Sequence, residues 1–141
     1  KESKIYKPRI IGLSYESMEP GIYMHDLVDK SYQIPLPSAG QQALFDRLSY
    51  INSVEGLDII IPCFDAELYN FIKLGKKLRD EEKIETFLPT LDQFEERHKA
   101  HLNEFGKKYK ILVPHSKLIY NSSSLYTIKN EFEYISSYLK L

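Results

Sequence analysis

Residues 57–62, Leu57-Asp58-Ile59-Ile60-Ile61-Pro62, are the stretch on which the fold turns. The β-branched run closed by a proline reads as a strand buried on both faces, the signature of a parallel strand covered by helices. Asp65 stands where a helix cap would, and Leu68, Phe71, Ile72 and Leu78 then form an apolar stripe. Lys76 to Glu82 give that helix a charged end. Ile84-Glu85-Thr86-Phe87-Leu88-Pro89 predicts another strand. Thr90 and Gln93 have capping-box spacing and open a helix expected to end near Gly106.

Upstream, Arg9-Ile10-Ile11-Gly12-Leu13 predicts a strand, followed by a turn at Pro20-Gly21. Tyr32-Gln33-Ile34-Pro35 reads as a brief edge strand, because Pro35 cannot donate to a ladder. Ser38 is the expected cap of a helix carrying Ala43, Leu44, Leu48 and Ile51, with Gly56 closing it. Strand then helix, repeated, predicts right-handed crossovers and a largely parallel α/β sheet. The tail differs. Leu125, Ile128, Phe132, Ile135 and Leu139 recur at 3, 4, 3, 4 spacing and predict an amphipathic helix over 125–139. A boundary near Tyr109 divides the chain into 1–109 and 110–141.

Composition narrows the class. The chain has 141 residues, 43% hydrophobic and 28% charged, within the range of one globular domain plus an extra element. Nineteen Lys and Arg against twenty Asp and Glu leave a charge of −1, which argues against a nucleic-acid or acidic-membrane surface as the main business. A single cysteine excludes a disulfide framework and a Cys-rich zinc module. No apolar run spans a bilayer, and KESKIYKPR lacks the apolar core of a secretory signal, so a soluble, cytoplasmic domain is expected.

Several short motifs in order carry a resemblance: Pro20-Gly21-Ile22-Tyr23, then Ile61-Pro62 with Asp65-Ala66-Glu67-Leu68, then Phe87-Leu88-Pro89-Thr90. Over about residues 9–119 the chain resembles the N-terminal (pre-ATP-grasp) domain of ATP-grasp proteins. The subgroup is the carbamoyl-phosphate-synthase-large-subunit-like or biotin-carboxylase-like one. The resemblance implies a Rossmann-like domain packed against two lobes that hold Mg-ATP, in a ligase that activates a carboxylate as an acyl phosphate and passes it to an amine or another nucleophile. It implies that the loop with Phe64, Asp65 and Glu67 faces the substrate. It also implies that Lys99 falls where related proteins carry a phosphate-approaching lysine, although His98 here replaces the aspartate that often precedes it.

The resembled family also has a first strand and a glycine-containing loop ahead of IIGLSY, and phosphate- and magnesium-holding groups in later lobes. The expectation is therefore an excerpt, inactive alone and without its own ATP or magnesium, both of which belong to the parent protein. Its sheet should have a gap between the strands ending at Leu13 and Ile61, to be filled by another chain or by rearranged pairing. Homo-oligomerisation through those unpaired positions or through the helix over 125–139 is the corresponding partner expectation. A small-molecule carboxylate or amine substrate belongs to the parent, and two further readings stay open: a stand-alone small-ligand-binding or regulatory module, and an oligomeric structural domain without catalysis.

Each candidate has a plainer reading beside it. Asp65 can cap a helix and Glu67 can complement its dipole, with no ligand involved. Cys63 reads as a small buried hydrophobe, since no Cys–His–Asp arrangement is legible. Glu95, His98 and His101 have i, i+3 spacing, but a second Glu-x-x-His is missing and a solvated face suffices. Glu16 follows a strand without a preceding GxGxxG, so no nicotinamide site is expected. His25 and His115 are isolated. The aromatics, eleven Tyr and seven Phe, are not interleaved with a net basic patch and read as packing.

Overall fold

The computed structural model describes residues 3–114, 116–117, 119–126 and 128–129. They form a mixed α/β structure whose strands pair in parallel, two by two. Two compact units divide it, Lys1–Leu91 and Asp92–Leu141.

In the first unit, β1 (Ile11–Ser14) lies beside β2 (Lys30–Gln33), with Ile11 opposite Lys30 and Ser14 opposite Gln33. A single 3-10 turn, Pro20–Tyr23, interrupts the connection. Helix α1 (Gln41–Glu55) leads to β3 (Ile59–Ile60), and α2 (Asp65–Lys77) leads through a π-helical turn, Leu78–Glu82, to β4 (Glu85–Thr86). β3 pairs with β4, Ile59 opposite Glu85. No ladder joins the two pairs.

One core serves both. Leu48 and Ile51 from α1, Phe71 from α2, Leu78 and Ile84 are fully buried, with Ile34, Leu44, Phe45, Ile60 and Leu74 around them. Burial of each large apolar side chain contributes roughly 1.5–3 kcal/mol. The sequence expectation of a central strand buried on both faces is corrected here. Ile60 is buried, but Ile59 is 51% exposed and Ile61 69%. The face of β3 that carries Ile60 meets the helices, and the opposite face has no such cover.

The caps also differ from expectation. Pro37–Ala39 closes its own 3-10 turn, and Gly40 at φ 91° then opens α1, so Ser38 does not cap it. Gly56 ends α1 in the left-handed region at φ 66°, as its position suggested. The strand expected over 84–89 is reduced to Glu85–Thr86, with Phe87 exposed.

In the second unit, the helix expected to run from Thr90 to Gly106 is broken. α3 (Leu91–Glu96) stops, a 3-10 turn Lys99–His101 follows, and α4 (Leu102–Tyr109) resumes. The break falls where His98 adopts extended backbone and its Nδ1 accepts from the Ala100 N–H, a local bond that competes with the helix. After α4 the chain doubles back through Lys110, at φ 55°, and both Lys110 and Ile111 donate to the Gly106 carbonyl. Val113 then presses onto Gly106 so closely that a Cβ there would sit 2.6 Å from Cγ2 of Val113. Tyr109, the sequence-based boundary, is the last residue of α4. Residues 124–126 and 128–129 are helical, whereas Phe132, Ile135 and Leu139, and His115 before them, lie outside the described residues.

Candidate functional site

The first candidate lies at the carboxyl ends of β1 and β3, where chain leaves each strand. Phe64 is extended (φ −122°, ψ 126°) and is the residue before α2, which makes Asp65 the first helical residue and not the cap. The capping duty passes to Glu67. Its Oε1 accepts from the Phe64 N–H at 3.1 Å and from the Cys63 N–H at 2.9 Å, satisfying donors that the helix leaves without intrahelical partners.

The other oxygen of Glu67 accepts from the Tyr15 hydroxyl, directly after β1 and fifty-two positions away in sequence. Glu67 is buried, and every one of these contacts lands on its carboxylate. Burial of the Tyr15 phenol, and then its bond to Glu67, pushes its pKa well above the usual tyrosine value. The Tyr15 ring meets Phe64 edge-on, with centroids 6.3 Å apart. Glu19 receives the Tyr15 N–H at 2.8 Å and holds the turn after β1. Phe64 and Asp65 are exposed at the surface of this cluster, and the Glu67 side chain is buried. Cys63, expected to be buried, is exposed, with Sγ 3.4 Å from the Ile61 carbonyl.

A second cluster sits at the opposite ends of the strands and was not foreseen. Glu55, the last residue of α1, has an almost wholly inaccessible side chain that meets Lys30 Nζ at 2.7 Å, the Tyr32 hydroxyl and the Arg9 guanidinium. Arg9 also donates to the Glu55 carbonyl at 3.2 Å. Lys30 first, then Tyr32, then Arg9 hold its carboxyl down to about 2. An acid at a helix carboxyl end opposes the macrodipole, which is the one sequence signal that could have marked Glu55 as paired.

Of the sequence candidates, Phe64, Asp65 and Glu67 share the start of α2, which Tyr15 meets from the end of β1, and Lys99 belongs to the second unit. Lys99 is exposed and opens the Lys99–His101 turn. The rings of His98 and His101 are 6.4 Å apart, and Glu104 lies 3.5 Å from His101. Among the described residues, no three His, Cys, Asp or Glu side chains are grouped to hold a metal ion. The second unit also has an open hollow of about 540 Å³ beside Gly106, flanked by Lys107, Lys110 and Val113. No helix among the described residues is long and apolar enough to cross a membrane. Neither a family model nor a curated protein matches the chain.

Proposed function

We propose that this chain is the Rossmann-like, substrate-side domain of a cytoplasmic ATP-grasp ligase of the carbamoyl-phosphate-synthase-like type. The observation that carries the reading is where the sheet is interrupted. The resemblance implies a strand between the one ending near Leu13 and the one ending near Ile61, and those two strands are not laddered to each other. The parallel pairs β1–β2 and β3–β4 would fit the doubly wound order 3-2-1-4-5 with its first strand left out.

In such sheets a ligand meets the carboxyl ends of the strands. Tyr15, Phe64, Asp65 and Glu67 stand at those ends here. Glu67 acts as a positioning residue, because its oxygens hold Cys63, Phe64 and Tyr15. The exposed Asp65 carboxylate suits a substrate amine or hydroxyl, with Phe64 covering its apolar part. Lys99 would meet phosphate. ATP and magnesium are assigned to the parent protein.

The test is the intact mass of the native polypeptide, followed by phosphate release from ATP in the presence of small carboxylates and amines. The expected result is a mass well above 16.5 kDa and phosphate release that requires both a carboxylate and an amine. Asp65→Asn should raise KM for the amine with kcat nearly unchanged. A native mass near 16.5 kDa, or phosphate release indifferent to added substrates, overturns the reading.

A further inference from the structure

We infer that α3 and α4 form an acid-sensitive hinge: with His98 neutral they bend back on each other, and with His98 protonated they join into one straight helix. The inference does not depend on the ligase reading. Local sequence favours the straight form. Residues 91–105 contain neither glycine nor proline and are rich in good helix formers. Phe94, Leu102 and Phe105 fall at 4, 4, 3 spacing once position 98 is counted, a continuous helical stripe in which His98 is the polar member. The three apolar side chains are half-buried, whereas His98 is exposed.

Two sets of contacts hold the bend. The Nδ1 of His98 accepts from the Ala100 N–H at 3.3 Å and starts the Lys99–His101 turn. Only a neutral ring with its proton on Nε2 can do this, because a protonated ring is a donor at both nitrogens. Across the bend, Glu96 meets Lys108 Nζ and, at 3.1 Å, the Tyr109 hydroxyl. In a straight helix the twelve residues from 96 to 108 would span about 18 Å along the axis, beyond the joint reach of a glutamate and a lysine. The Glu96–Lys108 pair therefore belongs to the bent form alone.

Histidine is the side chain that changes charge between about pH 5 and 8. The Glu96–Lys108 tie keeps its charges throughout, since Lys108 first, then Tyr109, hold the Glu96 carboxyl below the usual range and Glu96 in turn holds Lys108 protonated. Protonated His98 loses the Ala100 bond and sets a cation ahead of α4, at the positive end of its dipole. His101, with its ring 6.4 Å away, adds like charge there, partly offset by Glu104 at 3.5 Å. In a straight helix both rings lie away from any helix start. Glu95 stands three residues before His98 and Glu104 three after His101, against the neighbouring cations Arg97 and Lys99. Loss of a cap-type bond alone shifts the straight-to-bent ratio by about fivefold. Acid thus drives the hinge one way, toward the straight form.

The experiment is NMR of the isotope-labelled full chain, titrated from about pH 7.5 down to about 5.5. Cα shifts of residues 97–100 report helix, and proximity of the Glu96 side chain to the Tyr109 ring reports the bend. As pH falls, the shifts should move to helical values and the proximity should fade. Both changes should share the midpoint of the His98 ring titration, with the straight-to-bent ratio rising about fivefold. His98→Asn, whose side chain caps at any pH, should stay bent across the range. His98→Ala should be straighter than the parent at the upper pH, and His101→Gln should keep the response. Cα shifts that hold constant in the parent while the His98 ring titrates would overturn the inference without any variant. A response that survives His98→Asn, or that vanishes in His101→Gln, would overturn it as well.

Discussion

Removing the Glu67 carboxylate should loosen the first unit by an amount that can be worked out from its contacts. Glu67→Ala abolishes one bond from Tyr15 to a charged acceptor, for which about 2 kcal/mol is the central value. It also abolishes the reach-back to the Phe64 and Cys63 N–H groups, a helix cap in function, for which about 1 kcal/mol is usual. The two N–H groups belong to exposed residues and can recover water, so no further desolvation penalty is added. The expected loss is about 3 kcal/mol, or a fall in Tm of roughly 12–24 °C for a unit of this size. Tyr15→Phe alone should cost about 2 kcal/mol, and the double variant little more than Glu67→Ala, giving a coupling near 2 kcal/mol. Glu67→Gln keeps an acceptor for the N–H groups and should cost about 1 kcal/mol. Chemical denaturation of the four proteins measures the cycle, and NMR titration of Tyr15 supplies a second readout. In Glu67→Gln the phenol should titrate lower than in the parent, yet stay above an ordinary tyrosine because burial remains. A coupling below about 0.5 kcal/mol would show that the Tyr15–Glu67 bond does not hold the two strand ends together.

Glu55 makes stability depend on acid. Its folded pKa is depressed from an ordinary 4.5 to about 2, so its contribution is present above pH 4.5 and drains away as pH falls from there through about 2. Glu55→Gln should flatten the denaturation midpoint across that window, and an unaltered profile would remove Glu55 from the account. Phe71→Ala empties a fully buried site and should cost about 3–5 kcal/mol, measured as a shift in urea midpoint with little change in slope. Gly106→Ala brings a Cβ within 2.6 Å of Val113 and 3.0 Å of the Ile111 carbonyl. It should destabilise α4 by about 1–3 kcal/mol, read as faster exchange of its amides; unchanged exchange would mean Val113 moves aside freely.

Hydrophobic periodicity made α1 and α2 legible in advance. Leu44, Leu48, Ile51, Phe71 and Leu78 were expected on the inward stripes and are buried. The repeated strand–helix order likewise foretold parallel pairing. Period alone could not show that Ile59 and Ile61 would lack cover, because the same apolar run fits a strand with helices on one face or on both. The caps slipped for local reasons: Pro37 starts a turn of its own before Gly40, and extended Phe64 shifts Asp65 into the helix. At the site, Phe64, Asp65 and Glu67 were picked out by their position after a strand. The role of Glu67 was not, because Tyr15 is distant in sequence and no spacing rule links them. Lys99 rests on resemblance alone.

With no ladder between the β1–β2 and β3–β4 pairs, cooperativity between them rests on side chains. Helix α1, the three side chains around Glu55 and the Tyr15–Glu67 bond are the couplings that make the halves melt as one. Each half is built from near neighbours in sequence, so each can form early and fast, while joining them waits on long-range docking. Weakening those couplings should therefore split one unfolding transition into two, and the order in which the halves let go becomes a property of a few polar contacts.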